Sequence, residues 1–286
     1  MRIAEVGVFM NLVNRRAFLD KLTVAVRGIR KESAAGAVQL EASKAIGGNG
    51  RNYARKQAGV TATGNSFDLL YGPMRLIGMI PPMMVTLRSD RKPITAKEIT
   101  KALDTVCVKK WRASISQVEL TFDFTGPSVA FFHQSIFSSA HRFATIRDEM
   151  GRQTDYIGGR TSPWQVRIYQ KTARVVRLEF VLRRPFLRQQ GITKITELKK
   201  LSTIDLSRRV WLRELDAVAL KSVEREVQKS EKEDVRRRIL LKWFRDLPLR
   251  KSIPRAKKYF GAQPEKLTFK SPVDERLRRM QSRLVV

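Results

Sequence analysis

The sequence predicts an α+β fold: an antiparallel β-sheet with helices on one face, followed by a basic helical C-terminal region. Three observations predict it. Segments between about 114 and 184 alternate apolar and polar residues with period two. Helical stretches and turn clusters precede them, and beyond Pro185 the chain turns helical and strongly basic. With 286 residues, 42% of them hydrophobic, the chain can bury a real core in one large domain or two modest ones. No internal repeat is visible.

Residues 1–110 read as the N-terminal α/β portion of the main domain. They hold turn clusters such as Gly47-Gly48-Asn49-Gly50 and short apolar runs, including Arg75 to Leu87 around Pro81-Pro82. A helix over about 95–110 is expected from Thr95 as N-cap, Glu98 three places on, and apolar Ile99, Leu103 and Val106. Residues 111–190 read as the sheet portion of the same domain. In Val118–Phe124 the apolar residues share one face, and Glu119, Thr121 and Asp123 share the other. A Phe-rich helix is expected over about 128–148. Val166–Lys171 then brings Arg167, Tyr169 and Lys171 to one face, and Val176–Arg183 does the same for Arg177 and Glu179. Residues 191–286 read as the helical region, with long amphipathic helices over about 206–247 and with Pro248, Pro254 and Pro264 as breakers in the C-terminal stretch beyond them.

Charge narrows the function. The chain carries 57 Lys and Arg against 27 Asp and Glu, a formal net charge of +30. Residues 183–286 alone hold 29 Lys and Arg against 13 Asp and Glu. An even mixture of signs would merely solvate helices, whereas a two-to-one excess points to a polyanion, and nucleic acid is the first choice. A membrane role is disfavoured, because no apolar run approaches the roughly 18 residues needed to span a bilayer. Glu5 and Asn11 interrupt the apolar start, and Arg15 and Arg16 come after it, so no secretory signal is expected and the expected location is the cytoplasm. A single cysteine, Cys107, can form no internal disulfide and reads as buried filler. His133 and His141 read as packing or surface residues.

If the three alternating strands are neighbours with their polar faces aligned, they present carboxylates from Glu119 or Asp123 and Glu179, a phenol from Tyr169, and cations from Arg167, Lys171 and Arg177. That set suits phosphodiester transesterification. Carboxylates would hold Mg²⁺ or Mn²⁺, cations would neutralise the phosphate, and the phenol would attack phosphorus. Residues four apart on a strand are about 13 Å apart, so Glu119 and Asp123 cannot both ligate one ion without a bulge. One of them is expected to work with Glu179 while the other supports Arg or Lys. Each feature also has a plain counterpart. An isolated R-x-Y-x-K is usually a half-buried strand edge. The acids could simply pair with Arg177 and Arg183 across strands. Gly158-Gly159 is most simply a turn, with close backbone approach to a phosphate as the second reading, and Tyr156 packs beside it or serves as a second nucleophile.

Three blocks resemble a known family. They are Ile115–Phe124; Thr154–Ser162 leading into Arg167-Ile168-Tyr169-Gln170-Lys171; and Val176–Phe180 with Arg183-Arg184. In order and spacing they are similar to the Rep trans replication initiation factors of rolling-circle plasmids and filamentous phages, which include some conjugative relaxases. The blocks cover about 70 residues directly. Glu119 stands where that family usually has aspartate, and Gln117 where it usually has arginine. The resemblance implies a rolling-circle initiator-like nuclease domain in which Tyr169 nicks one DNA strand, Glu179 and the acidic strand bind metal, and Lys171 and Arg167 sit at the phosphate. It further implies a replication origin as substrate, single-stranded or as a hairpin at the nick, with a host helicase as partner and a homodimer as a possible assembly. A conjugative relaxase would use the same residues, and a non-enzymatic basic DNA-binding protein would account for the charge alone.

Overall fold

One sheet takes in far more of the first 183 residues than the three alternating central segments. The computed structural model describes residues 17–31, 38–46, 52–74, 80–90, 92–108, 111–140, 142–216, 234–260 and 268–284. Its strands begin with β1 (Ala17–Arg27), β2 (Val38–Leu40), β3 (Lys44–Ala45), β4 (Tyr53–Thr61), β5 (Ser66–Pro73) and β6 (Met83–Arg88). After helix α1 (Ala96–Val106) come β7 (Arg112–Thr125), helix α2 (Val129–Ser135), β8 (Ile136–Ser138), β9 (Phe143–Arg147), β10 (Gln153–Ile157), β11 (Trp164–Thr172) and β12 (Val175–Arg183). The chain continues through α3 (Arg184–Gln189), 3₁₀ turns over Ile195–Thr203 and Leu206–Arg208, β13 (Val210–Leu215), α4 (Asp234–Asp246), α5 (Leu249–Phe260), β14 (Thr268–Lys270) and α6 (Pro272–Ser282).

The large sheet has the order β2-β4-β5-β6-β1-β7-β12-β11-β10-β9, with β3 beside β4. Every pairing in it is antiparallel. One face is apolar: Leu22 and Val24 of β1, Val85 and Leu87 of β6, Leu120 and Phe122 of β7, Leu178 and Phe180 of β12, and Val166 and Ile168 of β11 are all buried. Ile99 and Leu103 of α1, Phe132 of α2, Leu187 of α3 and Leu198 pack into the same core. Helices therefore cover that face, as the alternation requires. A small second sheet, β14-β13-β8, lies beyond it.

Three expectations for helical stretches are corrected. Helix 128–148 stops after α2, because Ile136 leaves it to pair with Leu212 and Phe143–Arg147 pairs with β10. Strand partners override the local helical preference. The long helices over 206–247 are interrupted by β13, in which Val210 and Leu212 are buried with Trp211 between them less so. Pro254 sits inside α5 instead of ending it; the residue is exposed and costs the helix one backbone hydrogen bond. Pro264, His141, Gly47–Gly50 and residues 75–79 lie outside the described residues. Cys107 is buried, and burial pushes its thiol up to about 11, in keeping with a packing role. Among the described residues no helix is long and apolar enough to cross a membrane.

Candidate active site

The face of the sheet away from the helices is polar, and register decides which of its groups meet. β12 lies between β7 and β11. Tyr169 is the partner of Arg177, which is the partner of Asp123. One step along, Arg167 pairs with Glu179, and Glu179 with Thr121. Lys21 of β1 pairs with Glu119. All six residues expected from the sequence, Glu119, Asp123, Arg167, Tyr169, Lys171 and Glu179, thus share one face of three adjacent strands. Gly158 makes the preceding β10–β11 turn: its φ is +88°, and a Cβ there would meet the Trp164 carbonyl oxygen at 2.9 Å.

Two linked ion clusters result. In the first, the Tyr169 hydroxyl donates to Glu179 Oε1 at 2.5 Å. Arg167 bridges the two glutamates, with Nη2 2.9 Å from Glu119 Oε2 and Nε 3.1 Å from Glu179 Oε2. The second of these contacts is an ion pair without hydrogen-bond geometry, so Arg167 Nε is buried and unbonded. Glu119 also accepts from Lys21 at 3.1 Å and from Gln117 at 2.7 Å. In the second cluster, Arg177 donates through Nε and Nη2 to Asp123 at 2.7 and 3.0 Å, and Lys171 donates to Asp123 at 3.1 Å. Glu119 therefore converges with Glu179, and Asp123 supports the cations.

These contacts set the electrostatics. Burial, then the hydrogen bond to Glu179 and its charge, push the Tyr169 phenol well above its ordinary value. Burial opposes ionisation of Asp123, but Arg177 and Lys171 outweigh it and hold the carboxyl below the usual range. Burial likewise works against the charge on Arg167, and the carboxylates of Glu179 and Glu119 more than compensate, so its guanidinium holds its proton more tightly than usual.

One acid on this face went unforeseen. Asp20 occupies the point in β1 where the register with β7 shifts between Leu19 and Lys21, which is a bulge. Its Oδ1 lies 3.6 Å from Arg177 Nη1. Burial pushes its carboxyl up to about 6; Arg177 opposes that, while Glu179 and Glu119 add to it. The bulge places Asp20 and Lys21, consecutive in sequence, against the same polar face, Lys21 at Glu119 of the first cluster and Asp20 at Arg177 of the second, and a strict period-two reading cannot show that. His133 belongs elsewhere: Nδ1 lies 2.9 Å from Asp155 Oδ2, where α2 meets β10.

A hard divalent cation needs oxygen ligands. Among the described residues no three His, Cys, Asp or Glu side chains are grouped to share one ion. Glu119 and Glu179 converge on the Arg167 guanidinium, and Asp20, Asp123 and Glu179 on that of Arg177. In kind the Glu119–Glu179 pair suits an ion that takes one or two carboxylates and completes its shell with phosphate oxygens and water, and such an ion would take the place that the Arg167 guanidinium holds between them.

No family model matches the chain, and no curated protein matches it. Among solved structures it is similar to a rolling circle replication initiator protein from Geobacillus stearothermophilus, with 14% identity over 71% of this chain and 88% of that one and a TM-score of 0.43.

Proposed function

We propose that the chain is a DNA strand transferase that nicks one strand of a replication origin through Tyr169 and so initiates rolling-circle replication. The observation that carries this reading is the Tyr169 hydroxyl held at 2.5 Å by a carboxylate on a face shared with Arg167, Arg177 and Lys171. A phenol whose ionisation is suppressed needs a base at the moment of attack, and Glu179 is already its proton acceptor. Tyr169 Oη bonds to phosphorus, its proton passes to Glu179, the P–O3′ bond breaks, and the 3′ oxygen takes a proton from water. A 5′-phosphotyrosyl link and a free 3′-OH result, and religation is the reverse. Arg167 and Lys171 neutralise the phosphate. Mg²⁺ or Mn²⁺, held by Glu119 and Glu179, would add charge neutralisation at the phosphate oxygens.

The substrate strand must be unpaired to lie on a sheet, so an extruded hairpin or a strand opened by a host helicase is its form. Residues 191–286 supply further backbone contacts under this reading, and a second copy of the chain is a further partner. The test is incubation of the full chain with Mn²⁺ and 3′-labelled single strands tiled across a candidate origin. A covalent adduct that maps to Tyr169 and is lost in Tyr169→Phe supports the reading. Undiminished nicking by Tyr169→Phe overturns it.

A further inference from the structure

Across the polar face, register lines up one row over five neighbouring strands: Tyr156 of β10, Arg167 of β11, Glu179 of β12, Thr121 of β7 and Phe18 of β1. The row starts and ends on an aromatic ring. Four inter-strand steps separate the ends, about 19 Å, the length of a few nucleotides. Phe18 is only partly buried and lies on the polar face, outside the apolar core, with the Arg177 guanidinium 5.4 Å from its ring centroid. Tyr156 is also partly buried. Phe18 therefore keeps part of its ring at the surface of a polar face, against Arg177 and not in the apolar core.

The middle of the row is left incomplete. Among the described residues three buried side-chain polar atoms lack a hydrogen-bond partner, and two of them, Thr121 Oγ1 and Arg167 Nε, belong to this row. Thr121 is fully buried and Arg167 Nε faces Glu179 at 3.1 Å, so the group of the row's middle that a strand can reach is the outer part of the Arg167 guanidinium, whose side chain is 30% exposed. Four cations stand along it, Arg167 within the row and Lys21, Lys171 and Arg177 beside it; each is paired with a carboxylate, and the part-exposed ones, Lys21, Arg167 and Lys171, are those a phosphate can share.

We propose that Tyr156 and Phe18 are stacking platforms for the bases on either side of the phosphate held at Arg167, so that single-stranded DNA crosses the strands of the sheet along this row. The proposal deepens the nicking reading and rests on it for the identity of the strand. Rings supply sequence-tolerant stacking while the guanidinium fixes the backbone, the combination that single strands require.

The test uses the full chain carrying Tyr169→Phe, which removes the proposed nucleophile, and a fluorescein-labelled 12-nucleotide single strand of mixed sequence. A second probe has the same backbone with abasic residues. Tyr156→Leu and Phe18→Leu, added singly, should each weaken binding of the first probe by about 5- to 100-fold. They should leave the abasic probe nearly unchanged, and Tyr156→Phe should bind as the parent does. Equal losses on both probes, or no loss on either, overturn the proposal. A second measurement is independent of the leucine variants: 2-aminopurine in the strand should be quenched by stacking on the parent protein, and unquenched emission at saturation at every position overturns the platform. The two readings separate cleanly. An adduct at Tyr169 with unaltered binding by the leucine variants removes the platform alone, whereas base-dependent losses without any adduct remove the nicking alone.

Discussion

Glu179 carries two duties at the residue scale, as the acceptor for Tyr169 and as one half of the glutamate pair around Arg167. Glu179→Gln keeps the shape and removes the base, so nicking should fall about 10²- to 10⁴-fold while binding of single-stranded DNA is retained. A rate within a factor of three of the parent would show that the phenol loses its proton elsewhere. Asp20 gives a prediction on stability. Its carboxyl is raised in the folded protein to about 6, above the ordinary value of 3.8. The folded state thus binds this proton more tightly than the unfolded state, and stability from this group is lost as pH rises through about 4 to 6. Asp20→Asn removes that loss. In denaturant unfolding the variant should be more stable than the parent at pH 7, by up to about 3 kcal/mol, with the difference fading near pH 4. Lower stability of the variant at pH 7 would mean that the Arg177 contact outweighs burial. Alternation showed Tyr169 and Glu179 on the polar faces of two strands, because both sit in regular stretches, whereas the strand order and register that bring them into contact come from the sheet. Asp20 was hidden, since the bulge breaks the period there.

At the scale of elements, helix α1 shows how much a short pattern reveals and where it stops. Thr95 and Glu98 announce its start, and Thr95 Oγ1 does accept from the Glu98 N–H at 3.2 Å. The Glu98 carboxylate, however, turns to the β4–β5 hairpin, where it accepts from Thr61 at 2.6 Å, from Asn65 at 3.2 Å and from Thr63. The side chain expected to complete the cap therefore ties a helix to a turn about 35 residues away in sequence. Glu98→Ala should lose about 1 to 3 kcal/mol in urea unfolding, because several donors are left without their acceptor. A change under about 0.5 kcal/mol would mean that water replaces the carboxylate. Helix α1 could be read because its cap and apolar stripe are local. The helical readings of 128–148 and 206–247 failed because their outcome is set by distant partners: Ile136 and Leu212 pair across 76 positions of sequence. Val210-Trp211-Leu212 is too short a run for alternation to stand out from an amphipathic helix.

For the molecule as a whole, the sheet joins residues that the sequence presents as separate zones. β1 lies between β6 and β7, so Lys21 and Asp20 from the start of the chain reach acids and cations from its middle. The early strands were not individually legible although β1, β4 and β5 are about as long as β11 and β12, because their alternation is broken, in β1 by the bulge at Asp20 and the run Val24-Ala25-Val26 and in β5 by the run Leu69-Leu70-Tyr71. The net charge of +30 was plain from composition, and it bears on the last prediction. Neutralising phosphates releases counterions, so the logarithm of affinity should fall linearly with the logarithm of salt concentration. If the chain makes about six to ten phosphate contacts, binding of a single strand should weaken by several powers of ten between 50 and 200 mM salt. Lys171→Gln tests one contact within that total. Lys171 is 39% exposed and tied to Asp123 by a single ion pair, so its removal leaves the fold in place. In the Tyr169→Phe background the variant should reduce the salt slope by about one, equally for every sequence tested, because a phosphate contact carries no base information. An unchanged slope would place Lys171 off the path of the strand, and a flat salt response of the parent would mean that the positive charge serves something other than a nucleic-acid backbone.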